Sequence, residues 1–225
     1  MPLSPINSKP ESLTELVYDA IRQAIINFDL EPGQSISEAS LAKELGVSKT
    51  PVREALLELE YIGLIEPDGR RGGRVAAPSE ESLRSAYEIR EGLERQAARL
   101  AARRASEPDL EAIRALADES VGRAESLDVE GFRALDRQFH FAVAAATANT
   151  ALSRLVRDAY DLTWTLRRRD TPITDDSIAC AHHHRAIADA MAARDEDGAG
   201  EAMYVHISKI AQMVMDAFQR SDTAV

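Results

Sequence analysis

The chain contains very little cysteine and no long apolar segment. Cys180 is its single cysteine, which excludes an internal disulfide and indicates a reducing compartment. No apolar run approaches the ~18 residues of a membrane-spanning helix, and the first ten residues lack the apolar centre of a signal peptide. We therefore expect a cytoplasmic protein that has no membrane partner.

The chain also has too few positive charges to bind a polyanion nonspecifically. It has 27 Lys and Arg residues against 38 Asp and Glu residues, and a formal net charge of -11. Any contact with DNA must therefore depend on local clusters of basic side chains. With 44% hydrophobic and 29% charged residues, the composition is typical of a globular protein with one large domain or two modest ones.

The first third of the chain has helical periodicity broken by turn residues. Residues 1–10 are rich in proline and serine, and we expect a flexible arm there. Apolar residues at helical spacing then predict a first helix that ends near Phe28. A second, short helix over residues 41–45 ends at Gly46, because glycine readily takes the left-handed conformation that follows a helix.

A further helix begins a few residues after Gly46. Pro51 suits the first helical position and Thr50 suits the cap before it, so the pair of short helices predicts a helix-turn-helix. In such a motif the second helix reads the bases with its N-terminal side chains. Lys49 and Arg53 are placed to do so, and Ser48 and Thr50 can reach phosphate oxygens.

The segment that follows this helix predicts a wing. Residues 64–75 read as two short strands around a basic, glycine-rich loop. Arg70, Arg71 and Arg74 lie on this wing and could enter the neighbouring minor groove. Residues 11–77 are therefore predicted to form a winged helix-turn-helix. The alternatives are a helical subdomain with a solvated charged face, or a protein-interaction module, which the negative charge favours.

The rest of the chain is helical in period and contains no strand-like segment. It is predicted to be a second, all-α domain over residues 78–220, so the fold class is mainly α. Proline, glycine and polar breaks divide it into about six helices, at roughly 79–105, 107–126, 128–147, 149–169, 175–194 and 195–219.

Four residues of this second domain suggest a metal site. Asp136 and His140 are four apart and share one helix face. His184 and His206 lie on apolar faces of their own helices, so both imidazoles should point inward. One aspartate and three histidines suit a divalent ion such as Zn, Ni, Co or Mn. The alternative is that each histidine is simply buried and hydrogen-bonded.

Several neighbouring residues have two interpretations. His182 and His183 are either alternative ligands or exposed, and we expect at least one to be exposed. Cys180 lies one turn before His184 and is either a small buried apolar residue or a ligand. The basic run at residues 167–169 is either an anion site or a solvated helix end.

Four segments of the first domain resemble the N-terminal domain of GntR-type bacterial regulators. The resemblance implies that Ser48, Lys49, Thr50 and Arg53 contact operator DNA with help from the wing. Relatives often carry arginine at the position of Ala39, so one expected contact is missing. The matching segments are residues 17–22 (VYDAIR), 30–33 (LEPG), 40–48 (SLAKELGVS) and 50–56 (TPVREAL).

Residues 79–219 resemble the all-helical ligand domain, called FCD, of the FadR-type branch of that family. The resemblance implies a divalent ion, with zinc first among the candidates, and a small carboxylate effector. Arg90 is a candidate counter-charge for this carboxylate, or else pairs on the helix surface with Glu94, and Asn149 could line the cavity. The matching segments are residues 87–94 (YEIREGLE), 136–140 (DRQFH) and 184–187 (HRAI), with His206 following. The implied metal ligands are Asp136, His140, His184 and His206.

Together these features predict a ligand-responsive transcription regulator rather than an enzyme. It would act as a homodimer on a near-palindromic operator, as a repressor like most such relatives. The competing interpretation is a metal-dependent enzyme that acts on a small organic acid and carries an accessory helix-turn-helix. Such an enzyme needs a general base near its metal, and the chain has no HExxH or comparable signature.

Overall fold

The computed structural model describes residues 13–69, 72–167 and 175–222. The chain divides into two compact units. The first comprises the residues up to Pro78 together with Trp164–Leu166, and the second comprises Ser79–Thr163 and the chain from Arg167 onward. The predicted arm at residues 1–10 lies outside the described residues, as do Arg70 and Arg71.

The first unit is a winged helix-turn-helix, which confirms the predicted fold class of this part of the chain. Its three strands form an antiparallel sheet in the order β1-β3-β2. Strand β1 was not predicted, because three residues with burial on one side only are too short to give a strand pattern. The elements are α1 (Leu13–Ile26), β1 (Ser35–Ser37), α2 (Glu38–Leu45), α3 (Lys49–Tyr61), β2 (Ile65–Glu66) and β3 (Gly72–Val75).

The ends of the two recognition-motif helices follow from their capping residues. Ser37 caps α2 by accepting a hydrogen bond from the Ser40 amide, and Gly46 ends the helix at a φ of 66°, as predicted. Helix α3 begins at Lys49 with Ser48 as its N-cap residue. The prediction of Thr50 as cap and Pro51 as first helical residue was therefore wrong. A proline is tolerated anywhere in the first turn, because amides there have no acceptor within the helix.

The core of the first unit forms where α1 packs on α3. Both helices place apolar residues three or four positions apart, so each buries one face, and the strands cover the remaining edge. The larger apolar side chains buried in this core include Val17, Ile21, Ile25, Val52, Leu56, Leu59, Leu64, Ile65 and Val75.

The second unit is all-helical, as predicted. Serine caps start α4 and α5, where Ser79 pairs with Ser82 and Ser106 pairs with Asp109 in capping boxes. Helix α4 packs along α9, α8 packs on α9 and α5, and α5 packs on α6. The helices are α4 (Glu80–Arg104), α5 (Glu107–Glu125), α6 (Val129–Ala145), α7 (Thr150–Leu166), α8 (Asp175–Ala192) and α9 (Glu196–Asp222).

Small side chains allow the helices of the second unit to approach closely. Ala97, Ala98, Ala101 and Ala102 of α4 are all buried, and α4 makes its main packing contact with α9. Among the described helices, none combines the length and the apolar character that crossing a bilayer requires.

The central strand of the wing, β3, requires glycine at two positions. Gly72 has a φ of 141°, and a Cβ there would lie 2.1 Å from the Ile36 carbonyl oxygen. A Cβ on Gly73 would lie 2.5 Å from Ile65 Cγ2 and 2.9 Å from the Glu66 carbonyl oxygen. All three contacts are shorter than van der Waals separation, so the three strands pair at this distance only with glycine at both positions.

We predict that Gly73→Ala destabilises the protein by about 1–3 kcal/mol, the usual cost of overpacking. The measurement is urea unfolding followed by circular dichroism. Gly46→Asn is the control, because nothing lies within 4 Å of a Cβ at Gly46 and asparagine tolerates the left-handed conformation. Equal stability of Gly73→Ala and Gly46→Asn would show that the wing can rearrange.

Candidate metal centre and nucleic-acid interface

Three helices bring the four predicted metal ligands together in the interior of the second unit. Asp136 and His140 come from α6, His184 from α8 and His206 from α9, and all four are buried. One ligand atom of each lies within 4.8 Å of all the others. The expectation that these four side chains point inward to a common point is therefore matched by the structure.

The distances between the ligand atoms fit the coordination shell of one ion. The Nε2 atom of His206 lies 3.1 Å from that of His184 and 3.2 Å from that of His140. The Oδ1 atom of Asp136 lies 3.4 Å from His184 Nε2 and 3.7 Å from His140 Nε2. Four donors at about 2.1 Å from a tetrahedral ion are about 3.4 Å from one another. The four side chains could hold such an ion without rearrangement.

Hydrogen bonds behind the cluster fix the proton positions of two of its imidazoles. Ser120 Oγ donates to the Ala117 carbonyl at 2.8 Å, so its lone pairs accept from His184 Nδ1 at 3.2 Å. Glu94 Oε2 accepts from His140 Nδ1. Both rings then carry their proton on Nδ1 and present an unprotonated Nε2 to the cluster. Ligating histidines in metal sites are usually held in this way.

The aspartate is held as a carboxylate with one free oxygen. Tyr160 donates its hydroxyl proton to Asp136 Oδ2 at 2.7 Å, which leaves Oδ1 directed at the histidines. Burial alone would raise the pKa of Asp136, but its contacts with the His140 and His184 rings hold that pKa well below its ordinary value. Burial, and after it the neighbouring His184 and His140 rings, keep the pKa of His206 well below its ordinary value. The cluster therefore offers one anionic and several neutral donors.

Arg90 and Glu94 connect the cluster to a polar region behind it. Arg90 Nε donates to Glu94 Oε1 at 2.5 Å, and both side chains are 1% exposed. The i,i+4 pair considered from the sequence therefore exists, but it is buried and does not lie on the helix surface. Burial would raise the pKa of Glu94, yet the charge of Arg90 and the hydrogen bond from His140 Nδ1 lower it. No pattern in the sequence indicates that Glu94 also binds His140, because 46 residues separate the two.

Two buried polar atoms of this region have no hydrogen-bond partner among the described residues. They are Arg90 Nη2 and the Tyr87 hydroxyl. The Arg90 guanidinium also lies over the Tyr160 ring, 4.5 Å from its centroid. Burial would lower the pKa of Arg167, but the oxygens of Tyr87 and Asp136 hold that pKa above its ordinary value. This region offers donors and positive charge next to Asp136. Arg168 and Arg169 lie outside the described residues.

The other residues considered from the sequence have ordinary structural environments. Asn149 Oδ1 accepts a hydrogen bond from the Leu152 amide at 3.1 Å and thus caps α7, which leaves the amide nitrogen for any ligand. His182 is exposed, with Glu125 at 3.8 Å, whereas His183 is half-buried and Cys180 is buried.

In the first unit, the predicted DNA-reading residues lie together at the exposed start of α3. Ser48, Lys49, Thr50 and Arg53 are all exposed. Arg53 donates from Nε and Nη2 to the two Glu38 oxygens at 2.8 and 2.9 Å, with its side chain 53% exposed. This pairing was not foreseen. The hydrogens left on Nη1 and Nη2 still form a two-donor fork of the kind that binds guanine O6 and N7.

Arg74 is the one wing arginine within the described residues. It lies on β3 opposite Ser35, and its Nη1 donates to the Gly33 carbonyl at 2.7 Å. In this structure Arg74 therefore supports the turn before β1.

Two family models match the chain, one in each of its two units. Residues 13–75 match the family model described as bacterial regulatory proteins, gntR family, and residues 85–209 match the FCD domain. The chain is therefore a DNA-binding transcription regulator. It belongs to the GntR family and carries an FCD domain, as the resemblance of its motifs indicated.

Curated relatives agree with this assignment over most of the chain. The chain is 34% identical over 195 residues to a probable D-xylose utilization operon transcriptional repressor of Paenarthrobacter nicotinovorans, covering 85% of this chain and 84% of that one. It is 27% identical over 207 residues to the Nta operon transcriptional regulator of Aminobacter aminovorans, covering 89% and 93%. These relatives confirm the prediction of a regulator rather than an enzyme.

Among solved structures, E. coli McbR/YncC has the same fold. It superposes with a TM-score of 0.75 at 21% identity, over 93% of this chain and 100% of that chain. At this identity the likeness is evidence for the fold alone.

Proposed function

We propose that this regulator is a repressor whose second unit binds a divalent ion and a small carboxylate, and whose first unit reads an operator. The observation that carries the proposal is the pair of unpartnered buried donors, Arg90 Nη2 and the Tyr87 hydroxyl, next to a four-ligand cluster. Buried polar groups are rarely left without partners. A ligand that has acceptor oxygens of its own would supply a hydrogen-bond partner for each of these two donors.

The ion would be held by Asp136, His140, His184 and His206, and zinc suits this donor set best, with nickel, cobalt and manganese as alternatives. When bound, the ion supplies a positive centre that a carboxylate oxygen can coordinate. The Nδ1 bonds of His140 and His184 support this assignment, because they leave Nε2 unprotonated.

The carboxylate would be recognised by Arg90, Tyr87 and Arg167. Glu94 already neutralises one charge of this group, and Arg167 adds a second guanidinium. With the ion bound, Arg90, Arg167 and the divalent ion would carry four positive charges against the two negative charges of Glu94 and Asp136. This excess of positive charge favours an anion over a neutral ligand. Asn149, whose carbonyl oxygen caps α7, can contribute only its amide nitrogen.

The first unit would contact DNA through Ser48, Lys49, Thr50 and Arg53, with Arg70, Arg71 and Arg74 on the wing. The exposure of the α3 residues supports this. We infer a homodimer that reads two inverted half-sites, since a two-fold protein matches a near-palindromic operator. The effector can change operator affinity only if it binds the two states unequally, and a tenfold change needs about 1.4 kcal/mol of coupling.

The relatives support repression, because the one from Paenarthrobacter nicotinovorans is described as a probable repressor. On this proposal the regulator blocks transcription at its operator until the carboxylate binds.

We predict that Lys49→Ala weakens operator binding by about 10- to 100-fold, since a base contact is worth about 1–3 kcal/mol. The operator is first selected from a random duplex library with the wild-type protein, and affinities are then measured by fluorescence anisotropy. Arg84→Ala is the control, because it removes another exposed positive charge from α4 of the second unit. We expect two inverted half-sites in the selected sequence. A single half-site would contradict the inferred homodimer, and equal losses for both variants would contradict the role of Lys49 in reading DNA.

We predict that purified wild-type protein contains one divalent ion per chain in the Asp136 cluster and that His184→Ala loses most of it, as measured by elemental analysis. His182→Ala is the matched control, since this histidine lies two residues earlier on α8 but is exposed. Equal metal content in the two variants would exclude His184 as a ligand.

We predict that Tyr87→Phe leaves stability unchanged but weakens carboxylate binding by about 2- to 10-fold, the equivalent of one hydrogen bond. Folding should be unaffected because the hydroxyl has no partner among the described residues. Binding of acetate, succinate and citrate is measured by calorimetry and thermal shift. Tyr204→Phe, which alters a partly exposed tyrosine, serves as control. If neither variant changes the affinity for any carboxylate that binds, Tyr87 is not part of the site.

A further inference from the structure

We propose that the second unit contains another metal site, for a soft, thiophilic ion such as Cu(I), on the opposite side of His206 from the Asp136 cluster. Its ligands are Cys180, His183 and His206, whose donor atoms lie within 4.8 Å of one another. Met213 adds a fourth donor, because its sulfur lies 3.8 Å from Cys180 Sγ.

Helix geometry brings these residues together. Cys180 and His183 are three apart on α8 and therefore neighbours on one helix face. His206 and Met213 come from α9, which packs along α8. The His183 and His206 rings stand edge to face with their centroids 5.9 Å apart.

Two buried nitrogen atoms point to a ligand. The Nδ1 atoms of His183 and His206 are buried and lack a hydrogen-bond partner among the described residues. His206 itself is 0% exposed. The other two imidazoles of the Asp136 cluster have partners for Nδ1 in Glu94 and Ser120. Since the Nε2 atom of His206 faces those imidazoles, its Nδ1 atom is the one available to Cys180 and His183.

The donor set of this second site favours a different ion from the one that suits the first cluster. The first cluster combines a carboxylate oxygen with imidazoles, which suits zinc. The second combines a thiol and a thioether with imidazoles, and such soft sulfur ligands favour Cu(I). Binding would release the Cys180 thiol proton. With an ion also bound at Nε2 of His206, the ring would bridge the two ions as an imidazolate after releasing its remaining proton to water.

The test is an anaerobic titration of the zinc-loaded, full-length protein with Cu(I) in competition with bicinchoninate, a chromogenic chelator. We expect wild type to retain one Cu(I) per chain without losing zinc. X-ray absorption at the copper edge should show both sulfur and nitrogen neighbours. Cys180→Ser and His183→Ala should each weaken copper affinity at least tenfold and leave the zinc content unchanged.

Two controls separate the sites. His182→Ala should bind copper like wild type, because its ring is exposed on the same helix. His140→Ala should lose zinc but keep copper, because it alters only the first cluster. The proposal is overturned if wild type retains no copper, if copper displaces zinc mole for mole, or if Cys180→Ser and His183→Ala both bind copper as wild type does. Failure of the zinc site would appear separately, as wild-type protein without zinc.

Discussion

The interior of the helical unit depends on one constraint: a polar group that is removed from water must be given a partner inside the protein. Asp136, His140, His184 and His206 are all buried, and three of them present nitrogen atoms to the same point. Lone pairs that converge on one point repel each other unless a proton or a cation lies between them. The apolar helix faces that form the core therefore also bring these lone pairs together, and a proton or cation is needed at the centre to stabilise them.

The hydrogen-bond partners of the cluster determine which of its nitrogen atoms can bind a cation. Ser120 and Glu94 accept from Nδ1 of two imidazoles, and each bond turns the opposite nitrogen into a ligand. Glu94 would be costly to bury alone, but Arg90 neutralises it, and Arg90 keeps one donor free. A chain of buried contacts thus runs from the ligand atoms to the region where an anion would bind. A change in charge at either end alters the electrostatic environment of the other, which is the physical requirement for coupling a metal to an effector.

Local features of the sequence were enough to predict most of the fold. Helix boundaries followed from apolar period and from capping residues such as Ser79 and Gly46, because these signals act within one turn of helix. The start of α3 was misplaced by two residues, since serine and threonine both make good caps and proline fits either register. Strand β1 was missed because its pairing with β3 depends on glycines that lie more than 30 residues further along the chain.

The candidate site was predictable only in part, for the same reason. The i,i+4 spacing of Asp136 and His140, and the apolar faces around His184 and His206, were enough to predict that these four side chains point inward. Partners supplied by distant helices, such as Ser120 for His184 and Tyr160 for Asp136, have no pattern in the sequence. The bidentate ion pair of Arg53 and Glu38 could likewise not be predicted from the sequence, because it joins two helices across a turn.

The negative charge of the chain has a consequence for how it reads DNA. Many arginines of the second unit are already paired with carboxylates, as Arg95 is with Glu201 and Arg194 with Glu107. In the described part of the first unit, Lys49 has no such partner. Nonspecific binding grows with the number of phosphates that a protein neutralises, and a chain with a formal net charge of -11 gains little from it. We therefore expect its affinity for DNA to depend on a few local donors, such as those proposed at the start of α3 and on the wing. We expect such a protein to have a lower total affinity but a higher ratio of specific to nonspecific binding, because weak nonspecific binding leaves fewer competing sites. This ratio decides the occupancy of one operator in a genome.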